Sequence, residues 1–311
     1  MKYLVLLALL LPAVSFAASP DVLLSVNPEY PAPRTPVTVT AQVVGGGGSG
    51  ALYTWLINDE VVARAVDQTA LTLTAPELGD RTRVRLLIND EERSRELVIE
   101  SGRVTIEWEG ISERPPFYTG RSLLGGQGVA RAQSIAELVR PDGTRVPESD
   151  IRYTWRIDGS VLRSESGIGR DRVFVRPPFY DNPFTLSVTA EGRGGQRAES
   201  SVQVVPVPLD VVLYETSPLG GVWDESSLRD VVPFTESELS VRAYPLSASD
   251  SPRLEYSWHL NNEQVPSVTG DKRAIVFKKT GSGRGLYDVS LEISSASSFL
   301  DKVGAAFQLQ F

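Results

Sequence analysis

"LYTWLINDEVV" (52–62), "RYTWRIDGSVL" (152–162) and "EYSWHLNNEQV" (255–265) are three versions of one strand and the turn that ends it. Each reads aromatic, hydroxyl, Trp, any residue, aliphatic, then Asn or Asp. Strand alternation puts Tyr53, Trp55 and Ile57 on one face, and likewise Tyr153, Trp155 and Ile157, and Tyr256, Trp258 and Leu260. A tryptophan mid-strand between two further apolar residues is expected in the core between two sheets, so Trp55, Trp155 and Trp258 are predicted as structural core. The functional alternative, an exposed platform for stacking sugars, needs those faces turned outward.

The tryptophans stand 100 and 103 residues apart. That period is too long for a solenoid repeat and matches a β-sandwich domain. The surrounding strand signals recur in the same order. An alternating run precedes each tryptophan: "VTVTAQVV" (37–44), "ARAQSIAEL" (130–138) and "ELSVRAYPL" (238–246). "LTLTAP" (71–76), "RVFVRPP" (172–178) and "AIVFKKT" (274–280) follow it, and then "RVRLLIND" (83–90), "FTLSVTAEG" (184–192) and "LYDVSLEIS" (286–294). Alternation broken by Gly, Asn, Asp and Pro marks half-buried antiparallel strands, and no run after the leader sustains helical periodicity. The predicted fold is all-β: three tandem Ig-like antiparallel β-sandwiches at 18–101, 102–206 and 207–311. The short junctions "IESGRVTI" and "VVPVPLDVV", the second stiffened by Pro206 and Pro208, predict a semi-rigid rod of roughly 100 Å or more.

The Tyr-x-Trp strand and "GLYDVSLEIS" resemble PKD and related bacterial Ig-like domains. The "FGDG" that follows tryptophan in typical PKD domains is replaced by "INDE", "IDGS" and "LNNE". As a whole the chain resembles exported bacterial proteins with three such domains, through "PPFYTGR" (115–121), "YTWRIDG" with "SGIGRD" (166–171), and "LYETSPLGGVW" with "YSWHLNN". That resemblance implies a fold and a location. It brings no catalytic residues.

The leader "MKYLVLLALLLPAVSFAAS" has one cation, Lys2, an apolar run interrupted by Pro12, and Ser15 and Ala17 at the small positions of a cleavage site. A secretory signal peptide over 1–17 is expected; an uncleaved anchor is the alternative. Removing it takes Lys2 away and leaves 30 basic against 39 acidic residues. An acidic chain of this kind is not expected to bind a nucleic-acid backbone. With no cysteine in an exported chain, lipid attachment through a cysteine is excluded and each domain must be held by its core alone. The mature chain is expected outside the cytoplasm, secreted or at the cell surface, with no membrane segment.

"RPPFY" occurs twice, at 114–118 and 176–180. The copies fall 41 residues before and 21 after Trp155, at non-equivalent positions of the middle domain. They are therefore not relics of domain duplication. Pro-Pro-x-Tyr also has the form of a WW-domain ligand, but those readers are intracellular. The connections "GISERPPFYTGRSLLGGQG" (110–128) and "ETSPLGGVWDESSLRDVVPFTES" (215–237) are far longer than hairpin loops. Phe117, Tyr118, Phe179, Tyr180 and Trp223 have two readings: they plug a sandwich end or clamp a neighbouring domain, or they form an exposed partner site.

Composition leaves little for catalysis. The single histidine, His259, alternates outward from Trp258, and thiol and multi-histidine chemistry are excluded. "GGGGSG" (45–50) and "LLGGQGVA" open no helix that would cradle phosphate. No carboxylate pair stands out; the acidic turns "NDE" (58–60) and "NDEE" (89–92) are expected to be solvated turns without a dedicated loop's ligand pattern, weak Ca²⁺ binding being the alternative. No cofactor and no enzyme activity are expected. A non-enzymatic envelope, surface or appendage-associated protein for protein–protein interaction, adhesion or spacing is the leading expectation. A glycan-binding or glycan-processing accessory protein is the alternative.

Overall fold

The computed structural model describes residues 22–45, 47–89, 93–248, 254–268, 270–281, 284–295 and 298–311. The predicted signal peptide, and parts of "GGGGSG" and of the 89–92 turn, lie outside the described residues. Among the described residues the fold is all-β, with one 3-10 turn at Glu148–Asp150. No helix there is long and apolar enough to cross a membrane.

The first sandwich has seven strands: β1 (Val22–Asn27), β2 (Pro36–Val43), β3 (Leu52–Ile57), β4 (Glu60–Val66), β5 (Ala70–Thr74), β6 (Arg81–Ile88) and β7 (Arg93–Glu100). They form sheets ordered β1-β2-β5 and β4-β3-β6-β7. Alternation dictates the faces: Val37, Val39 and Ala41 of β2 turn inward to meet Tyr53 and Trp55 of β3 and Val84, Leu86 and Ile88 of β6 in one core.

The second has β8 (Arg103–Gly110), β9 (Ala130–Glu137), β10 (Ile151–Ile157), β11 (Ser160–Val161), β12 (Gly167–Ile168), β13 (Arg172–Val175), β14 (Phe184–Gly192) and β15 (Arg197–Val204). Its sheets run β13-β9-β8 and β11-β10-β14-β15, with β12 also on β10.

The third has β16 (Asp210–Ser217), β17 (Gly221–Val222), β18 (Val231–Pro233), β19 (Glu238–Leu246), β20 (Leu254–Leu260), β21 (Glu263–Val265), β22 (Ala274–Lys278), β23 (Leu286–Ser295) and β24 (Ser298–Gln310). Its sheets are β17-β16-β19-β22 and β18-β24-β23-β20-β21. Among the described residues the strands pair antiparallel except β18 on β24, which is parallel.

The three quoted segments fold alike in detail. Trp55, Trp155 and Trp258 are 0, 0 and 1% exposed. A buried indole N–H needs an acceptor. Each finds a backbone carbonyl 13 to 15 residues on: Gln68 at 2.8 Å, Arg170 at 2.9 Å and Lys272 at 3.2 Å. Those carbonyls lie just before β5, β13 and β22, strands of the opposite sheet. The turn after each tryptophan has two residues of positive φ: Asn58–Asp59 (49°, 70°), Asp158–Gly159 (46°, 80°) and Asn261–Asn262 (50°, 68°). Tight hairpins of this hand need that conformation, which Asn, Asp and Gly tolerate. The first residue's side chain also accepts the N–H of Arg83, Thr185 or Asp288 on the neighbouring strand, at 2.9, 2.8 and 2.9 Å. Asp59 is further engaged by Arg83 and Arg85. Of the "NDE" carboxylates, Asp59 is thus paired with its own sheet.

Contacts gather the chain into two compact units, 1–103 with 138–145, and 104–137 with 146–311. The hairpin Leu138–Arg145 gathers with the first, where a Cβ on Gly79 would meet Val139 at 2.8 Å. The second and third sandwiches otherwise share one unit.

Trp155→Ala is expected to cost about 3–5 kcal/mol in urea melts. Trp155→Phe keeps much of the apolar volume but strands the Arg170 carbonyl, for about 1–3 kcal/mol.

Tyr153, 1% exposed, has its hydroxyl pushed up to about 12, by burial first and then by the charges of Glu148 and Asp171. The unfolded chain ionises near 10, so this contribution is complete below pH 10 and lost as pH rises towards 12. Melts across that window should show Tyr153→Phe losing less stability than wild type, by up to about 1.4 kcal/mol per pH unit.

Candidate functional site

The two "RPPFY" copies make different contacts in the second sandwich. In the first, Arg114 Nη1 donates to the Gly120 carbonyl at 3.1 Å and the Tyr118 amide to the Pro115 carbonyl at 3.0 Å, which closes the loop. In the second, Arg176 Nη1 donates to the Gln127 carbonyl at 3.0 Å. A Cβ on Gly126 would meet Asp181 Oδ1 at 2.4 Å and the Tyr180 ring at 3.0 Å. Arg176, Tyr180 and Asp181 therefore sit against residues 126–127.

The first loop also reaches the third sandwich. Phe117, half-buried, meets Tyr214 of β16 edge-on, centroids 4.8 Å apart, and Tyr244 of β19 at 5.6 Å. The two tyrosines are themselves 5.9 Å apart. Val211, Leu213, Val241 and Ala243 face the core, so alternation sends Tyr214 and Tyr244 to the outer face of that sheet. There they make a seat for the phenyl ring. A small apolar cavity of about 130 Å³ remains beside it, between Pro115, Leu123, Val212 and Leu246. Such edge-on pairs contribute about 0.5–1.5 kcal/mol each beyond their burial.

Polar contacts surround the seat. Arg273, just before β22, pairs with Glu113, and Arg242 of β19 pairs with Asp271. Asp271 Oδ1 in turn accepts the Arg273 amide at 3.1 Å. The Glu113 amide donates to the Ala248 carbonyl at 3.3 Å, and the Val207 amide to the Leu124 carbonyl at 2.8 Å. Ser247 Oγ donates to the Pro208 carbonyl at 2.8 Å. The linker is thus tied on both sides. Burial raises the Tyr244 and Tyr256 hydroxyls above their ordinary value. At Gly125 the backbones of the two sandwiches come together: a Cβ there would stand 2.4 Å from the Ser247 carbonyl oxygen. Its role in "LLGGQG" is to admit a backbone.

The predicted candidates thus separate. Phe117 is committed to the junction. Tyr118 is partly exposed at its rim, Phe179 is 68% exposed, and Tyr180 is partly exposed over the 126–127 turn. Trp223, 59% exposed, follows the β16–β17 hairpin, its amide donating to the Glu215 carbonyl at 3.0 Å. Sequence reasoning overlooked Tyr214 and Tyr244. Aromatics at outward positions of alternating strands were the available signal. It also overlooked Trp108 on β8, whose ring carries the Arg121 guanidinium 4.1 Å from its centroid. Glu107, Gln133 and the Arg131–Glu109 ion pair line a shallow hollow of about 280 Å³ around it. Among the described residues no group of His, Cys, Asp and Glu is arranged to hold a metal ion.

No protein-family model and no curated protein sequence matches the chain. Among solved structures, it aligns with the three N-terminal domains of the Highly Immunogenic Outer Capsid protein of bacteriophage RB49, at 12% identity and TM-score 0.28 over 94% of this chain and 98% of that one. The central fibronectin-III array of RIM-binding protein aligns at 13% identity and TM-score 0.29, over 94% and 96%. A structure from a 1.5-MDa bacterial ice-binding adhesin aligns at 12% and 0.25, over 94% and 97%. Likeness at this level carries no argument about what the chain binds.

Gly125 is not in the left-handed region, so Gly125→Ala tests the close approach alone. It should lower the melting temperature of the 104–311 unit and open the linker at 205–209 to limited proteolysis. Phe117→Ala should act in the same direction, by about 1–3 kcal/mol.

Proposed function

We propose that this chain is a non-enzymatic exported protein of the bacterial envelope or surface, built from Ig-like domains bounded at 18–101, 102–206 and 207–311, that binds or spaces other proteins. The observation that carries this reading is the Phe117 seat. The long loop, the proline-rich motif and the linker hydrogen bonds are all spent on fixing one sandwich to the next. That is what a protein needs to present a surface at a set position rather than to turn over a substrate. The exposed Phe179 and Trp223 are then the candidate contact residues. Tyr180 adjoins Phe179 in sequence, Tyr118 stands at the junction rim, and Phe117 is held in the seat.

The glycan-binding alternative has one specific observation behind it, the Trp108 hollow with its planar polar side chains. A sugar there would have to displace Arg121 from the ring face.

Two measurements test the proposal. Protein recovered from the extracytoplasmic fraction should begin at Ala18; a product that keeps Met1 and resists extraction from membranes contradicts export with cleavage. Crosslinking of the mature protein on intact cells should give a discrete protein adduct, lost in a folded Trp223→Ser or Phe179→Ser variant. An adduct that survives both but disappears with Trp108→Ala or with added oligosaccharide would favour the glycan reading.

A further inference from the structure

The end of the third sandwich away from the linker carries two unlike surfaces. β16 runs from Asp210 beside the linker to Ser217, and β22 from Ala274, next to the Glu113–Arg273 pair, to Lys278. The register aligns Thr216 with Ser240 and Ser240 with Val276, so the β16–β17 tip and the end of β22 are level. They occupy opposite edges of one sheet, β17-β16-β19-β22, three strand spacings or about 14 Å apart.

The first surface is the hairpin tip. Leu219 is fully exposed and Trp223 mostly so. Residues 214–225, "YETSPLGGVWDE", hold Glu215, Asp224 and Glu225 and no Lys or Arg. Two bare apolar groups within an acidic rim are costly to leave in water.

The second is a cleft of about 440 Å³ between the open edges of β21 and β22. Leu260, Ile275, Phe277, Leu309, Tyr287 and Phe311 line it. Among the described residues only β19 pairs with β22, so the other edge of β22 is free. The β22 side of its rim is basic: Lys278 lines it, Lys279 follows, and residues 278–281 hold no acid. Lys278 is shared with Glu238 at 3.3 Å, and Lys279 stands 5.9 Å over the Phe311 ring.

We infer that the two surfaces are made for each other in a second copy of this chain: an acidic, apolar hairpin entering a basic-rimmed, apolar cleft. The geometry selects the symmetry. Both surfaces lie at one end and on opposite edges, so a two-fold axis through that end, normal to the sheet, sets each hairpin against the partner's cleft. The contact closes on itself as a dimer instead of propagating as a filament. The cleft admits the leucine and indole groups, and opposite charges at the rims steer the approach. This goes beyond the proposed function and does not depend on it: it assigns Trp223 to a second copy and leaves Phe179 as the contact for an outside partner, so either reading can fail alone.

The test needs no unknown partner: the full mature chain is weighed by light scattering and analytical ultracentrifugation over a concentration series. Wild type should be a dimer that weakens with added salt. Asp224→Lys with Glu225→Lys sets a basic hairpin against a basic rim, and Lys279→Glu sets an acidic hairpin against an acidified rim. Each variant alone should dissociate at least about tenfold more readily. An equimolar mixture of the two should restore dimers, because both contacts of the mixed pair are again between opposite charges. Leu219→Asp should be monomeric and should keep the wild-type melting behaviour of its sandwiches when compared at the monomer's concentration. A wild-type monomer up to about 100 μM, well above the micromolar range of weak interfaces, overturns the inference. So does a dimer indifferent to all three variants, or a mixture that fails to recover.

Discussion

An indole N–H that reaches from one sheet to a carbonyl at the start of a strand in the other sheet organises every sandwich in this chain. The bond fixes three things together. It sets how deep the tryptophan lies, which strand of the opposite sheet it faces, and where the chain enters that strand. Removing the indole would leave a buried carbonyl without a partner as well as a cavity, so the packing and polar terms act in the same direction. The positive-φ turn that follows pins the same strand from its other end. Between them, tryptophan and turn leave each segment one register.

The junction between the second and third sandwiches is built on a different principle. A domain core is apolar throughout, whereas this contact sets an aromatic ring on two outward tyrosines and surrounds it with ion pairs and backbone hydrogen bonds. Gly125 allows main chain to approach main chain, and the Glu113–Arg273 pair is only partly withdrawn from water. Such an interface resists bending while remaining separable, since no single element of it is as large as a sandwich core. The prolines of the first "RPPFY" shape the loop that delivers Phe117, and those of the second end β13 before Arg176 folds back to the Gln127 carbonyl. One string therefore has two structural uses within a single domain, and the second leaves Phe179 exposed.

The sandwiches were legible in the sequence because strand alternation is local. Val37, Val39 and Ala41 announce their face without reference to any distant residue, and three tryptophans at one period announce the copies. The boundaries of β9, β14, β19 and β22 fall within a few residues of the expected runs for the same reason. The junction was not legible, because Phe117 takes its meaning from Tyr214 and Tyr244, about a hundred residues or more further along. Aromatic residues on a long loop predict that something covers them, not what covers them. Trp108 escaped notice because it belongs to no repeat. Its ring partner is Arg121, a side chain on a connection whose path no periodicity describes.

The parallel pairing of β18 with β24 has a mechanical consequence. β24 is flanked by β23 on one side and β18 on the other, so both of its hydrogen-bonding edges are occupied along Val231–Pro233 and Gln308–Gln310. Tension applied at Phe311 along the strand would load those bonds sideways and all at once, instead of parting them one after another as in a zipper. A long surface connection that returns to pair with the final strand thereby turns the far end of the third sandwich into a grip that bears a pull.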